Sequence, residues 1–287
     1  MEVTKQSPSF TKLFLKKIFQ NKLAFAGLIL VIIMIAIAIF APLIATHAPN
    51  EMEMSDALLS PGEKGHLLGT DNYGRDLFSR IVYGARISLI VGIGAVAMGA
   101  VIGILLGLVA GYFGGLIDSV IMRFMDALAA FPFILLAITL MTVLGTGLLN
   151  VIIAVGVGNI PGFARMIRGQ VLSVKEELFI EVTESLGASQ SRIIFSHLLP
   201  NCLTPIIVYA TMSIAGAIIS EAALSFLGLG IQPPTASWGN ILSEGRSYLI
   251  IAPYIAIFSG MSILLSVLGL NLFGDGLRDA LDPRTKV

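Results

Sequence analysis

"EVTESLGASQSRIIFSHLLPN", Glu181 to Asn201, interrupts a chain that is otherwise dominated by apolar residues. It belongs to a polar stretch from Ala164 to Thr204, about 40 residues, far longer than a connection between neighbouring helices requires. Leu178, Phe179, Val182 and Leu186, then Ile193, Ile194 and Leu198, fall at helical spacing. Gly187 divides the two sets and Pro200 stops the second, so the expected shape is helix, glycine turn, helix. Glu176, Glu177, Glu181 and Glu184 crowd the first half. Helices that lie on a membrane surface are usually rich in Lys and Arg, whereas these acids would repel anionic headgroups. A protein partner with complementary groups fits this segment better than lipid.

The surroundings are membrane-like. Of 287 residues, 56% are hydrophobic and 13% charged, against roughly 25% charged in an average soluble domain. Eighteen basic and eighteen acidic residues cancel, so net charge points to no nucleic acid or other polyanion. Cys202 is the single cysteine and allows no intrachain disulfide.

Six hydrophobic runs are long enough to cross a hydrocarbon core roughly 30 Å thick. They are Leu23–Ile44, Ser88–Gly111, Leu128–Leu144, Leu148–Phe163, Pro205–Phe226 and Leu249–Phe273. The first exceeds the apolar core of a signal peptide and is read as a retained span. Asn159 and Pro161 make the inner end of the fourth irregular. With the N-terminus inside, Lys5, Lys12, Lys16, Lys17, Lys22, Arg123, Arg165, Arg168, Lys175, Arg192, Arg278, Arg284 and Lys286 share one side. Lys64, Arg75, Arg80, Arg86 and Arg246 lie on the other. This thirteen-to-five imbalance puts both termini and the opening segment in the cytoplasm. The expected organisation is a cytoplasmic segment 1–22, a first span 23–47, an extracytoplasmic loop 48–86, a core 87–274 carrying the inner segment 164–204, and a cytoplasmic tail 275–287.

In the second span Gly99, Gly103, Gly107 and Gly111 recur every four residues, with Ala95 and Gly115 extending the series. That spacing makes a stripe on which another helix backbone approaches closely. The simpler reading is packing within the chain; the other is an interface that slides during transport. "GTDNYGRD", Gly69–Asp76, is dense in turn formers whose charges serve backbone groups and cap the following helix, or else meet a delivering protein. "IQPPTASWGN" is a stiff outer loop that puts Trp238 at the membrane interface. Glu221 sits in the fifth span, where a carboxylate needs a partner: loop backbone, or a role along a path. Met212 and Asn271 are further path candidates. Arg123 and Asp126, three apart, read as an ion pair. His47, His66 and His197 are too scattered in sequence for a metal site.

Glu181-Val-Thr-Glu-Ser-Leu-Gly187, followed after nine residues by His197-Leu198-Leu199-Pro200, resembles the EAA loop of ABC importer permeases: Glu-Ala-Ala, three residues, Gly, nine residues, Ile-x-Leu-Pro. Glu181, Gly187, Leu199 and Pro200 match in register; Val182, Thr183 and His197 depart from the pattern. "HLLGTDNYGRDLFSRIVYGARISL" (His66–Leu89) and "EAALSFLGLGIQPPTASWGNIL" (Glu221–Leu242) are similar to the second permease of dipeptide, oligopeptide and nickel importers.

The resemblance implies an all-α, six-span type I importer permease of the bacterial or archaeal cytoplasmic membrane, paired with a homologous permease, two ABC ATPases and an extracytoplasmic binding protein. The segment at Glu181 would be a coupling helix. Glu181 and Glu184 would bond to the ATPase, Gly187 would allow the turn, and Ser185 and Ala188 would let the helix enter a groove. His197, Leu199 and Pro200 would hold the loop's second half. ATP and Mg would be held by the ATPases. The residues agree on one point: there is no G-x-x-x-x-G-K-[ST] phosphate loop, and no cofactor-binding or metal motif.

Enzyme readings find no support, since H-E-x-x-H and G-x-S-x-G are absent. A secondary transporter or channel would show inverted repeats and mid-membrane charges, and neither is evident. The substrate classes open are dipeptides, oligopeptides and glutathione-like peptides, or alternatively nickel and metal chelates.

Overall fold

The computed structural model describes residues 17–281. Lys5, Lys12, Lys16, Arg284 and Lys286, all used in the charge comparison, lie outside the described residues. Among the described residues the helices of eight residues or more are α1 (Lys22–Ile39), α2 (Leu77–Phe113), α3 (Gly115–Ala130), α4 (Phe133–Leu144), α5 (Leu148–Lys175), α6 (Leu178–Ser185), α7 (Leu199–Phe226), α8 (Trp238–Arg246) and α9 (Pro253–Leu281). Among the described residues there is no named strand, only an isolated bridge between Thr70 and Asp76.

Among the described residues, five helices are long and apolar enough to span a membrane: α1, α2, α5, α9 and the run ending in α7. The third expected span, Leu128–Leu144, is broken. Leu128–Ala130 belongs to α3, which meets α4 at 90°. Pro132 is the cause: it has no N–H to continue a helix and drives the preceding Phe131 into extended backbone (φ −78°, ψ 131°). What remains, α4, is 12 residues long, about 18 Å at 1.5 Å per residue.

Three other boundaries differ from expectation. α2 runs 37 residues from Leu77, roughly 55 Å and well beyond the hydrocarbon thickness. Asp76 starts it early, accepting the Ser79 N–H at 2.8 Å as an N-cap. α5 continues through Pro161 to Lys175 instead of ending irregularly near Phe163. Asn159 Nδ2 donates to the Val155 carbonyl beside the proline at 2.9 Å, and Pro161 and Phe163 are buried where α2 and α7 pack on α5. α9 begins at Pro253 and reaches Leu281. The short helix α8 was not expected. A capping box, Ser237 with Asn240, defines its start.

The core centres on the pair α2 and α5, and the glycine stripe is why they approach. A Cβ on Gly99 would lie 2.8 Å from the Gly156 carbonyl oxygen, on Gly103 2.7 Å from that of Ile160, and on Gly107 2.6 Å from that of Ala164. On Gly111 it would lie 2.8 Å from the Val171 Cβ. The stripe therefore faces α5 of the same chain. It ends at Gly111: Gly115, with φ +55°, has open space around it and serves the α2–α3 turn. A second close pair joins α1 to α9, where an added Cβ on Gly27 would meet the Phe273 nitrogen at 2.5 Å and one on Gly269 the Leu30 Cβ at 2.7 Å. The remaining faces of α1 stay apolar and exposed at Ile29, Ile32, Ile33 and Ile35, as a lipid-facing helix requires.

Candidate functional site

The segment that opened the reading forms the expected helix, turn and helix, but its burial is inverted in the first half. Leu178, Phe179, Val182 and Leu186 are the apolar residues at helical spacing. They are exposed, Leu186 at 82% and Leu178 at 71%. Ile180, which the periodicity passed over, is the one buried residue of α6. Glu181, Glu184 and Ser185 are exposed as well. An apolar edge and two carboxylates therefore stand free on the same two-turn helix.

Gly187 ends α6 with φ +79°. Its N–H donates to the Glu184 carbonyl at 2.9 Å and the Ala188 N–H to that of Thr183 at 3.3 Å. This paired pattern around a left-handed glycine caps the helix and turns the chain sharply. Beyond it, Gln190–Arg192 leads into a wider π-type stretch, Ile193–Leu198. The Leu199 N–H reaches back to the Ile194 carbonyl. Pro200 has no N–H to return to the preceding turn, and the local widening accommodates it.

The base beneath this elbow is packed. Ile193, Ile194 and Leu198 are buried and join Ile180, Leu108, Tyr112, Ile167, Val171 and Cys202 in one cluster. The ends of α2, α5, α6 and α7 meet there. Lys175 Nζ donates to the Tyr112 carbonyl at 2.8 Å and sits over the Tyr112 ring. Arg168 grips Asp118 with two hydrogen bonds of 2.5 and 2.6 Å. Asp126 pairs with Arg165 at 3.5 Å rather than with Arg123. Long-range pairing from α5 to α3 replaced the local one, because the 90° bend lays α3 alongside α5. His197 lies near the Phe179 ring, 6.5 Å between centroids. Leu199 is half-buried and Pro200 exposed.

At the opposite end, "GTDNYGRD" is buried except at Asn72, which is half-buried, and Tyr73, which is exposed. Asp71 Oδ1 accepts from the Tyr73 and Arg75 N–H groups at 2.9 and 3.0 Å, and Asp71 Oδ2 from Arg75 Nε at 2.6 Å. Arg75 also donates to Glu244 of α8 at 2.8 Å. Arg80 lies 3.4 Å from Asp71 and donates to the Pro49 and Pro234 carbonyls. Gly69 and Gly74 both have positive φ, and a Cβ on Gly74 would lie 1.8 Å from the Glu53 oxygen. Asp76 caps α2, as expected. Burial opposes its charge, but the Ser79 hydroxyl and N–H, with His66, hold its carboxyl below the usual range. Glu244 carried no signal in the sequence; only the fold brings it to Arg75.

Trp238 is covered by the protein rather than exposed to its surroundings. It is buried against Gly84 and donates to the Ile81 carbonyl at 2.9 Å. Glu221 is fully buried. Its partners are the hydroxyls of Ser225 at 2.8 Å and Ser88 at 3.2 Å, not loop backbone, and they tie α7 to α2. Met212 of α7 is 38% exposed and lies over Gly274 of α9, while Asn271 is half-buried. The histidines are not all scattered: His47 and His66 stack with centroids 4.6 Å apart. The chain crosses between α1 and α2 and returns, which brings them together.

A multi-span helical bundle with an exposed elbow on a packed base is the architecture of a transport permease. Residues 103–287 match the family described as binding-protein-dependent transport system inner membrane component, and residues 9–61 match the N-terminal TM domain of oligopeptide transport permease C. The chain belongs to this family and is a multi-pass inner-membrane permease component of an ABC importer.

Among its relatives, it is 49% identical over 271 residues to the dipeptide transport system permease protein DppC of Alkalihalophilus pseudofirmus, covering 94% of this chain and 89% of that one. It is 49% identical to the glutathione transport system permease protein GsiD of Escherichia coli, covering 95% and 90%. It is 43% identical to the di/tripeptide transport system permease protein DppC of Pseudomonas aeruginosa, covering 97% and 94%. The inward-facing MetNI methionine ABC transporter shares the fold, with a TM-score of 0.56 at 22% identity over 72% of this chain and 98% of that one.

Proposed function

We propose that this chain forms one half of the translocation path of an importer for small peptides or peptide-like solutes, coupled through Glu181–Ala188 to two ATPase subunits. In this reading both termini and the elbow are cytoplasmic. Residues 48–86 and the buried Asp71–Arg75–Glu244 cluster are extracytoplasmic, facing a substrate-binding protein. A homologous permease supplies the other half of the path. ATP and Mg²⁺ belong to the ATPases, and this sequence has no phosphate loop of its own. The relatives named for dipeptide, glutathione and di/tripeptide transport support a peptide substrate.

One observation carries the coupling role. An exposed edge of Leu178, Val182, Leu186, Glu181 and Glu184 stands on a base where four helix ends interlock. Exposed apolar groups rimmed by charges mark a partner surface. Glu181 and Glu184 bond to the ATPase, Ser185 and Ala188 are small enough to enter a groove, and Gly187 makes the turn that presents them. Closure of the ATPases on ATP moves the elbow. The packed base transmits that movement to α2, α5 and α7, since interlocked side chains shift as a unit rather than deform.

The test uses the co-expressed complex. Gly187→Asp adds a side chain and a charge at φ +79°; it is expected to abolish uptake of labelled dipeptide and the substrate-stimulated part of ATP hydrolysis. Ser185→Cys is expected to crosslink to an ATPase subunit in membranes. Unchanged uptake and stimulation in Gly187→Asp, with Ser185→Cys crosslinking only to lipid, would overturn the proposal.

A further inference from the structure

The end of the bundle opposite the elbow holds a cluster that the transport role does not use. His47 follows the short helix Ala41–Ile44, His66 lies in the long loop, and Asp76 caps α2. Their rings and carboxylate converge. Asp76 Oδ1 is 2.9 Å from His66 Nδ1 and 3.6 Å from His47 Nδ1, and the three donor atoms all lie within 4.8 Å of one another. We propose that His47, His66 and Asp76 form a binding site for a divalent transition-metal ion, with Zn²⁺ the expected occupant.

Geometry is the first argument. Zn²⁺ holds N and O donors at about 2.0–2.2 Å in a tetrahedron, which sets neighbouring donors roughly 3.3–3.5 Å apart. The two donor spacings at Asp76 Oδ1, 2.9 and 3.6 Å, bracket that value. The two imidazole nitrogens lie within 4.8 Å of each other, so the rings must close by roughly 1 Å to reach that spacing, and His47 Nδ1 must give up its 3.0 Å contact with the Thr46 hydroxyl. Asp76 and His66 are buried, while the His47 side chain is 37% exposed, so an ion has an entry path and one movable ligand.

The supporting bonds are the second argument. Asp76 Oδ2 is occupied, accepting the Ser79 N–H at 2.8 Å and the Thr46 hydroxyl at 3.3 Å. Oδ1 is thereby left aimed at the imidazoles. The His47 backbone N–H donates to Ser79 Oγ at 3.0 Å, which anchors that residue beside the carboxylate. Such outer bonds orient metal-ligating groups and tune their affinity. The N-terminus of α2 repels a cation, but the carboxylate lies between them and meets the helix with its other oxygen.

Donor type sets the ion class. Two imidazoles and one carboxylate favour Zn²⁺ and its borderline neighbours over Mg²⁺ or Ca²⁺, which require oxygen ligands. Three protein ligands leave a fourth position for water or an outside donor. An ion there would fasten two separated chain segments, at His47 and His66, to the start of α2.

The experiment uses the complete complex in nanodiscs, stripped with chelator and dialysed. Zn²⁺ is titrated against a chromophoric competitor, and bound metal is counted by elemental analysis. Wild type is expected to bind one more Zn²⁺ per permease chain than His47→Gln, with affinity in the variant lower by about tenfold or more. Co²⁺ in place of Zn²⁺ is expected to give the visible absorption of a four-coordinate ion in wild type and not in His47→Gln. His66→Gln should behave likewise; if it does not assemble, His47→Gln decides, since that ring is half-exposed. Equal Zn²⁺ content and identical Co²⁺ spectra in intact wild-type and His47→Gln complexes would overturn the proposal and leave a plain His–Asp hydrogen bond.

Discussion

Gly103→Ala tests the packing on which the bundle rests. The new methyl would lie 2.6 Å from Phe163 Cβ, 2.7 Å from the Ile160 oxygen and 3.1 Å from the Ala164 nitrogen. Comfortable contact is about 3.5–4.0 Å. Two of the three obstacles are backbone atoms, so no side-chain rotation relieves the overlap and α2 must part from α5 by about 1 Å. Overpacking of this kind costs about 1–3 kcal/mol. Alanine also returns about 0.5–1 kcal/mol of helix propensity, which would mask part of the loss. Gly260→Ala supplies the reference, because Gly260 lies within α9 with nothing inside 4 Å of an added Cβ.

The difference between the two variants isolates the steric term. In thermal unfolding of the detergent-purified complex, followed by fluorescence-detected size exclusion, Gly103→Ala should melt below Gly260→Ala by on the order of 5 °C. Adding Gly107→Ala to Gly103→Ala should cost less than the sum, since helices already parted meet less resistance one turn on. A Gly103→Ala complex that melts no lower than Gly260→Ala would refute the claim that this stripe is a backbone contact.

Ile180→Ala removes the buried anchor of α6. A loss of about 2–5 kcal/mol in a locally packed cluster should loosen the elbow, leaving basal ATP hydrolysis while lowering uptake per ATP in a reconstituted assay. Arg75→Met removes the close partner of the buried Asp71 and of Glu244 and leaves them the more distant Arg80, at 3.4 and 3.8 Å. Breaking a buried pair from one side costs about 3–5 kcal/mol, so the complex should fail to accumulate in membranes, as measured by immunoblot. Asp118→Arg with Arg168→Asp restores a pair that either single change breaks. Because the Arg168 side chain is 35% exposed, the coupling recovered in a double-mutant melting cycle should be no more than about 1 kcal/mol.

The elbow shows how far local pattern reached. Gly187, with acids before it and Pro200 after it, was readable as a helix, a turn and a second helix because each feature acts within a few residues: φ freedom, a missing N–H, an apolar spacing of three and four. The glycine stripe was readable for the same reason. Which of the apolar residues around Ile180 would be buried was not readable. On a two-turn helix Leu178, Phe179, Val182 and Ile180 point in most directions, and only the position of the Leu108–Val171 surface selects among them.

Sequence by itself determined that this is a helical membrane chain with a polar elbow, because hydrophobic length and turn chemistry are local properties. Pro132 held the break between α3 and α4 in plain view, though the hydrophobic run was read through it. The tertiary structure alone decided the partners: Asp118 with Arg168, Arg75 with Glu244, Trp238 with Gly84, and the convergence of His47, His66 and Asp76. Each joins positions whose separation along the chain says nothing about distance in space. Their meeting follows from how α2, α5, α7 and α9 pack, and packing is a sum over many contacts that no single stretch of sequence contains.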